Sequence, residues 1–231
     1  MNSHPHTIKG HPSHGHGKDK GKHNTLRLVA WETTRNCNLA CIHCRASATC
    51  GPYEGELDTR ASLRLLDEIA QVGKPIVILT GGEPLLRADI FDLARHGTEL
   101  GLRMVMACNG TLVDDTIARK IANAGIKRIS VSLDGSTAET HDKFRGVPGA
   151  FEGALRGLEN AKKTGIEFQI NTTITQENLT QIPAILALAE KLGAVAHHIF
   201  LLVPTGRGKY IIDSAIDARQ YEKTLNWFYD Q

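Results

Sequence analysis

No stretch of the 231-residue chain approaches the roughly 18 consecutive apolar residues that a membrane-spanning helix needs. The N-terminus also lacks the apolar core of a signal peptide. Both absences lead us to expect a cytoplasmic protein that does not contact a membrane. Charge of one sign is nearly missing: 27 Lys+Arg face 25 Asp+Glu, and the surplus sits in the first 23 residues, where Lys9, Lys18, Lys20 and Lys22 stand against Asp19 alone. The rest of the chain therefore offers no basic excess with which to hold nucleic acid or an anionic surface. Cysteine is scarce as well, with five in all. That is an odd number and too few for a disulfide framework, yet Cys37, Cys41 and Cys44 fall within eight residues. In a reducing compartment such clustering reads as metal ligation.

Residues 1–24 are rich in His, Gly, Lys and Pro, with six histidines (His4, His6, His11, His14, His16, His23) and almost no apolar side chains. Such a leader cannot bury a core and is expected to be disordered. The fold is expected over residues 25–231, where apolar runs with strand character alternate with helical periodicity. The strands read as Leu26–Thr33, Pro75–Thr80, Arg103–Cys108, Arg128–Leu133, Glu167–Ile174 and His197–Val203. The helices read as Arg60–Val72, Ala88–Leu100, Asp114–Ala124, Ala150–Lys163 and Gln176–Leu192, with a last one from about Asp217. Six βα units imply an α/β fold with a parallel sheet and right-handed crossovers. A complete TIM barrel uses about 250 residues for eight units, so roughly 207 residues after the leader suit a partial (βα)6 barrel. A doubly wound nucleotide-binding sheet fits less well, because no GxGxxG follows the first strand and Gly206-Arg207-Gly208 is a weak substitute.

The chemistry concentrates in Arg35-Asn36-Cys37-Asn38-Leu39-Ala40-Cys41-Ile42-His43-Cys44, a CxxxCxxC loop after the first strand. A structural zinc site asks for four ligands, and no second pair follows, although His43 could complete one. Three thiolates on one loop could instead hold three irons of a [4Fe-4S] cluster and leave the fourth open. The second strand runs into Gly81-Gly82-Glu83-Pro84, which by itself reads as a strand-to-helix turn.

Taken together, these two motifs resemble the radical S-adenosylmethionine (radical SAM) superfamily, whose CxxxCxxC loop and GGEP turn occupy these places on a partial TIM barrel. The resemblance implies that Cys37, Cys41 and Cys44 hold a [4Fe-4S] cluster whose open iron chelates the methionine part of SAM. It further implies SAM contacts from Gly81, Gly82, Glu83 and Pro84, with His43 near the adenine. The ends of the later strands would add Asn109, Ser132, Asp134, Asn171 and Thr172, and Arg145, in the loop His141–Gly146, would pair with the SAM carboxylate. Reductive cleavage of SAM would then yield a 5′-deoxyadenosyl radical, drawing its electron from a low-potential donor of flavodoxin or ferredoxin type.

Two longer stretches, Leu28–Ala48 and Phe200–Lys209, resemble the haem-biosynthesis branch of that superfamily, and the His-rich leader resembles its porphyrin-decarboxylating members. This implies a tetrapyrrole substrate whose propionates are oxidatively decarboxylated, with Arg45, Arg207 and Lys209 as candidate cationic anchors. The alternatives are another tetrapyrrole-modifying step, a peptide-modifying maturase, or a protein that carries a cluster or haem without turnover. Relatives in this branch carry a C-terminal extension with cysteines for an auxiliary cluster, whereas no Cys follows Cys108. The last helical pattern also runs to Gln231 without a stop signal, so a missing C-terminal region is expected.

Overall fold

A computed structural model describes residues 26–51 and 53–231 of the chain; the His-rich leader lies outside the described residues. Its six strands are β1 (Leu28–Thr34), β2 (Ile76–Gly81), β3 (Arg103–Cys108), β4 (Arg128–Ser132), β5 (Glu167–Ile174) and β6 (Ala196–Leu201). All neighbours pair in parallel, in chain order β1-β2-β3-β4-β5-β6. Among the described residues β1 and β6 do not pair with each other, so the sheet is an open, partial barrel, as expected. Seven α-helices accompany it: α1 (Thr59–Val72), α2 (Ile90–Glu99), α3 (Asp115–Asn123), α4 (Ala138–Arg145), α5 (Ala150–Lys163), α6 (Ile182–Leu192) and α7 (Ala218–Tyr229). None of the described helices is long and apolar enough to cross a membrane.

Strand alternation sorts the side chains into two populations. One face of the sheet carries Val77, Leu79, Met104, Met106, Ile129, Val131, Phe168 and Ile170, all buried against helical residues such as Leu66, Leu93, Ile121 and Leu158. This main core lies between sheet and helices, where apolar burial contributes most. The opposite face carries Thr80, Ala107, Ser130, Ser132, Gln169, Asn171 and Thr173, none of them fully buried. A packed α/β barrel fills that interior with branched apolar side chains; here Ile78 and Val105 do so lower down, and the C-terminal part is mostly polar and partly open.

Three elements differ from the sequence expectation, one of them a 3-10 segment over Gly206–Ser214 where no helix is expected. Residues 138–145 form helix α4 rather than a loop, so Arg145 ends a helix. Its buried positions are His141, Phe144 and Arg145, two of them polar, which leaves hydrophobic periodicity blind to it. The helix is nonetheless signalled by its ends: Thr137 is the N-cap, and Gly146 takes the left-handed conformation at the C-terminus. Helix α6 begins at Ile182 rather than Gln176, because Pro183 suits a first turn and a short 3-10 turn, Leu179–Gln181, precedes it.

Ile129 sits in the centre of the core with no exposed surface. Ile129→Ala is expected to cost about 2–5 kcal/mol, whereas Val72→Ala, at a position 67% exposed, should stay within about 0.5 kcal/mol of the parent. Chemical denaturation of the two variants checks this contrast.

Candidate active site

The cysteine loop leaves β1 at the C-terminal end of the sheet, and its shape is set by backbone bonds to distant elements. Ala40 N–H donates to Arg145 O at 3.1 Å and Ile42 N–H to Phe144 O at 3.0 Å, which ties the loop to the end of α4. Cys37 N–H donates to Thr49 O at 3.0 Å and closes the loop on itself. Asn38 bridges to the end of β3, donating to Thr111 Oγ1 at 2.9 Å and accepting from Asn109 Nδ2 at 2.8 Å.

Each of the three clustered sulfurs has one donor. Leu39 N–H points at Cys37 Sγ (3.4 Å), Ala48 N–H at Cys44 Sγ (3.3 Å) and Arg145 Nη1 at Cys41 Sγ (3.6 Å). All three cysteines are free. Burial pushes the Cys37 thiol up to about 11, so ligation there must displace a proton. Buried polar atoms without a partner lie close by, at His43 Nδ1, Arg145 Nε and Arg207 Nη2. Among the described residues no three His, Cys, Asp or Glu side chains converge as ligands of a single ion. That geometry does not favour a zinc site completed by His43. A cluster makes a different demand, because each thiolate binds a separate iron, and hydrogen bonds to sulfur are among the features that tune such clusters. The donor set therefore fits a [4Fe-4S] group.

The turn after β2 is pressed against the root of this loop. Gly82 N–H donates to Thr34 O and Glu83 N–H to Asn36 O, both at 2.7 Å. A Cβ on Gly81 would fall 2.1 Å from Thr34 O, and one on Gly82 would fall 2.4 Å from Asn36 O. The glycines are thus required by backbone-to-backbone approach, a reason the motif alone did not disclose. Glu83 has no exposed surface; its carboxylate accepts from Asn109 N–H at 2.7 Å and from Leu85 N–H at 3.1 Å. It joins the turn to the end of β3 instead of lining the open space, and Pro84 is buried at the start of the following 3-10 turn.

A cavity of about 350 Å³ opens above the inner face of the sheet, within the size range of small-molecule sites. Cys37, Cys41, His43, Cys44, Gly81, Gly82, Asn109, Ser132, Arg145 and Asn171 all line it, so ten of the residues expected to hold the cluster and SAM converge. His43 stacks on Phe144, with ring centroids 4.4 Å apart. Burial, reinforced by the charges of Arg145 and Arg207, lowers its imidazole to about 2 and keeps it neutral. Arg45 and Arg207 also reach the cavity wall, Arg45 as an exposed cation paired with Glu32.

Other expectations need correction. Thr172 points away from the cavity, bonding Leu133 O at 2.7 Å and His197 Nε2 at 2.8 Å, while its neighbour Thr173 lines the site. Asp134 is fully buried beneath the wall, where it pairs with Arg145 and accepts from Thr173 N–H at 2.8 Å. Lys209 is exposed outside the cavity, with its ammonium 4.8 Å from the Tyr210 ring. Arg207 spends its guanidinium on loop carbonyls, at Cys41 O (2.7 Å) and Ala48 O (2.6 Å). Sequence reasoning missed Thr173, Ser130 and the apolar stretch Phe200–Val203, all of which line the cavity. Strand alternation counted from Asn171 would have found Thr173.

Burial raises the Glu83 carboxyl from 4.5 to about 7. The folded state then holds a proton that the unfolded state has lost between those values, so this group's contribution to stability falls as pH rises through that window. Relative to Glu83→Gln, the parent should lose stability from pH 4.5 to 7. Denaturant midpoints of both proteins across that range read the effect, and parallel curves would contradict it.

Comparison with known proteins agrees with this geometry. The family model described as the Radical SAM superfamily matches residues 31–189. An "AdoMet-dependent heme synthase" from Oleidesulfovibrio alaskensis is 51% identical over 240 residues, covering 99% of this chain and 62% of the relative. An "Fe-coproporphyrin III synthase" from Methanosarcina barkeri is 39% identical over 199 residues, covering 86% of this chain and 50% of the relative. The chain thus spans less than two thirds of the length of these curated relatives. Among solved structures, Streptococcus suis SuiB bound to S-adenosylmethionine superposes with a TM-score of 0.74 at 18% identity, covering 89% of this chain and 47% of that one, a likeness of fold. With the family model spanning most of its length, the chain belongs to the radical SAM superfamily.

Proposed function

We propose that this chain carries the catalytic core of a radical SAM enzyme of haem biosynthesis that decarboxylates porphyrin propionates to vinyl groups. The observation that carries the reading is the convergence, in one cavity, of the three donor-supplied cysteines with Gly81, Gly82 and the polar ends of β3 to β5. The similarity to proteins named heme synthase and Fe-coproporphyrin III synthase supports the choice of a tetrapyrrole substrate. When bound, a [4Fe-4S] cluster and SAM together supply a 5′-deoxyadenosyl radical that can take hydrogen from an unactivated C–H bond.

The chain's own residues then have distinct tasks. Cys37, Cys41 and Cys44 hold the cluster, and Leu39 N–H, Arg145 and Ala48 N–H partly neutralise their sulfurs. The carbonyls of Gly81 and Gly82 offer acceptors for the SAM ammonium, while Ser132, Asn171 and Thr173 present hydroxyl and amide groups to the ribose and methionyl parts. His43, neutral and stacked on Phe144, gives a flat wall for the adenine. Phe200, Leu202 and Val203 give the apolar side on which a macrocycle would lie, and Arg45 is the rim cation for a propionate. Loss of hydrogen from a propionate β-carbon, followed by departure of CO2 and one electron, leaves the vinyl group. The released electron requires an acceptor, for which we propose an auxiliary iron–sulfur cluster. Cys50, exposed, and Cys108, buried in β3, lie on separate elements and form no ligand set of their own. A flavodoxin- or ferredoxin-type donor and a cytoplasmic setting complete the reading.

Anaerobic reconstitution with iron and sulfide, then incubation with SAM and dithionite, should give 5′-deoxyadenosine. Cys41→Ala should abolish both cluster absorbance and product, and absence of product from the reconstituted parent would end the enzyme reading. With iron-coproporphyrin III present, mass spectrometry should record loss of CO2 and two hydrogens per propionate. Arg45→Gln should raise KM for this substrate several-fold with kcat largely kept, as expected for an exposed charge-assisted contact.

A further inference from the structure

We propose that Arg207 is a positioning residue for the cluster, holding the cysteine loop in its ligating shape and placing a permanent positive charge beside Cys41. The inference rests on the cluster reading above and assigns Arg207 to the loop rather than to a substrate carboxylate. Three contacts carry it. The Arg207 backbone N–H donates to Cys44 O at 2.9 Å, and its side chain donates from Nε to Cys41 O at 2.7 Å and from Nη1 to Ala48 O at 2.6 Å. The first two acceptors belong to two of the ligating residues themselves. The third belongs to Ala48, the residue whose N–H donates to Cys44 Sγ. The side chain, from beyond β6, therefore holds the backbone of Cys41 and the residue whose N–H donates to Cys44 Sγ, while the main chain of the same residue holds Cys44.

The approach is built in at the neighbouring residue. Gly206 has φ +55, and a Cβ there would fall 2.2 Å from Arg45 O and 2.3 Å from Cys44 O, so the turn before Arg207 lies directly on the loop. A solvated surface arginine would show none of this. The remaining nitrogen, Nη2, is buried without a protein partner in a residue that lines the cavity. It leaves one charged donor for whatever fills the site. The planar guanidinium reaches two carbonyls at once, which a lysine ammonium on a flexible stem cannot reproduce.

Two consequences follow for a loaded protein. Loosening the loop should speed cluster loss, by the roughly 10–100-fold that removal of supporting contacts around metal ligands typically costs in affinity or activity. Removing a positive charge near the cluster should disfavour its reduction and lower its potential. Arg207→Gln tests both effects, Arg207→Lys keeps the charge while losing the fork, and Lys209→Gln is an exposed control outside the cavity. The readouts are iron retained under a chelator challenge, the midpoint potential from an electron paramagnetic resonance titration, and the thermal unfolding of each iron-free protein. We expect both Arg207 variants to release iron at least about tenfold faster than parent and control. The potential should be lowered in the Gln variant and less so in the Lys variant, with iron-free stabilities close to the parent's. Equal retention and potential in parent and variants, or iron loss that merely tracks weaker iron-free protein, would overturn the role of Arg207. A parent chain that took up no iron and sulfide would instead overturn the cluster reading.

Discussion

The site depends on one backbone contact, the seating of the Gly81-Gly82 turn against the root of the cysteine loop. Two 2.7 Å hydrogen bonds, from Gly82 N–H to Thr34 O and from Glu83 N–H to Asn36 O, fasten consecutive βα connections to each other. No side chain fits between them, since any Cβ would occupy the carbonyl positions of Thr34 and Asn36. The contact fixes the root of the loop of more than twenty residues between β1 and α1, and the bonds from the loop to α4 and to Arg207 hold the rest of it as part of the cavity wall. Glu83 extends the same chain of contacts inward: buried, it caps the following turn and receives Asn109 N–H, so the ends of β1, β2 and β3 are bonded to one another.

The sheet supplies the rest of the site by parity. Its outer face is a conventional apolar core under the helices. Toward the C-terminal ends of the strands, its inner face carries serine, threonine, glutamine and asparagine in place of the branched residues that would fill a closed barrel. That substitution costs burial energy on one side and leaves a polar floor on which a ligand with many hydrogen-bonding groups can rest. Asp134 and Arg145 are the exception, a buried ion pair set within the wall. Such a pair is poor evidence of stability, because desolvation offsets its attraction. Its more evident effect is to aim the arginine at Cys41.

How much of this was legible in the sequence depended on whether the signal was local. The three-cysteine spacing, the glycine pair and six alternations of strand and helix were all readable, and twelve of the expected residues line the cavity. Local reading failed where a residue's partner lay far along the chain. Glu83 carries an acidic side chain next to the expected cofactor, yet its carboxylate is taken by Asn109, which only the folded sheet brings close. Arg207 read as a substrate anchor because its partners at Cys41 and Ala48 lie about 160 residues earlier. Helix α4 escaped because the face it buries carries a histidine and an arginine. Thr172 was a different kind of miss: the strand was right, and the two-residue alternation that excludes it was available but not applied.

An open barrel raises a mechanical question that these contacts answer. With β1 and β6 unpaired, nothing in the hydrogen-bonded sheet holds its two edges at a fixed separation. The bonds from Arg207 to the cysteine loop span that gap at the C-terminal end of the sheet, joining the connection after β6 to the connection after β1. The barrel is therefore tied at its mouth by loops while its flank stays open along the strands. Closure by a strand ladder would have sealed the flank too. A tie confined to the loops keeps the ligating residues in place beside an edge at which Glu32 and Phe200 line the cavity.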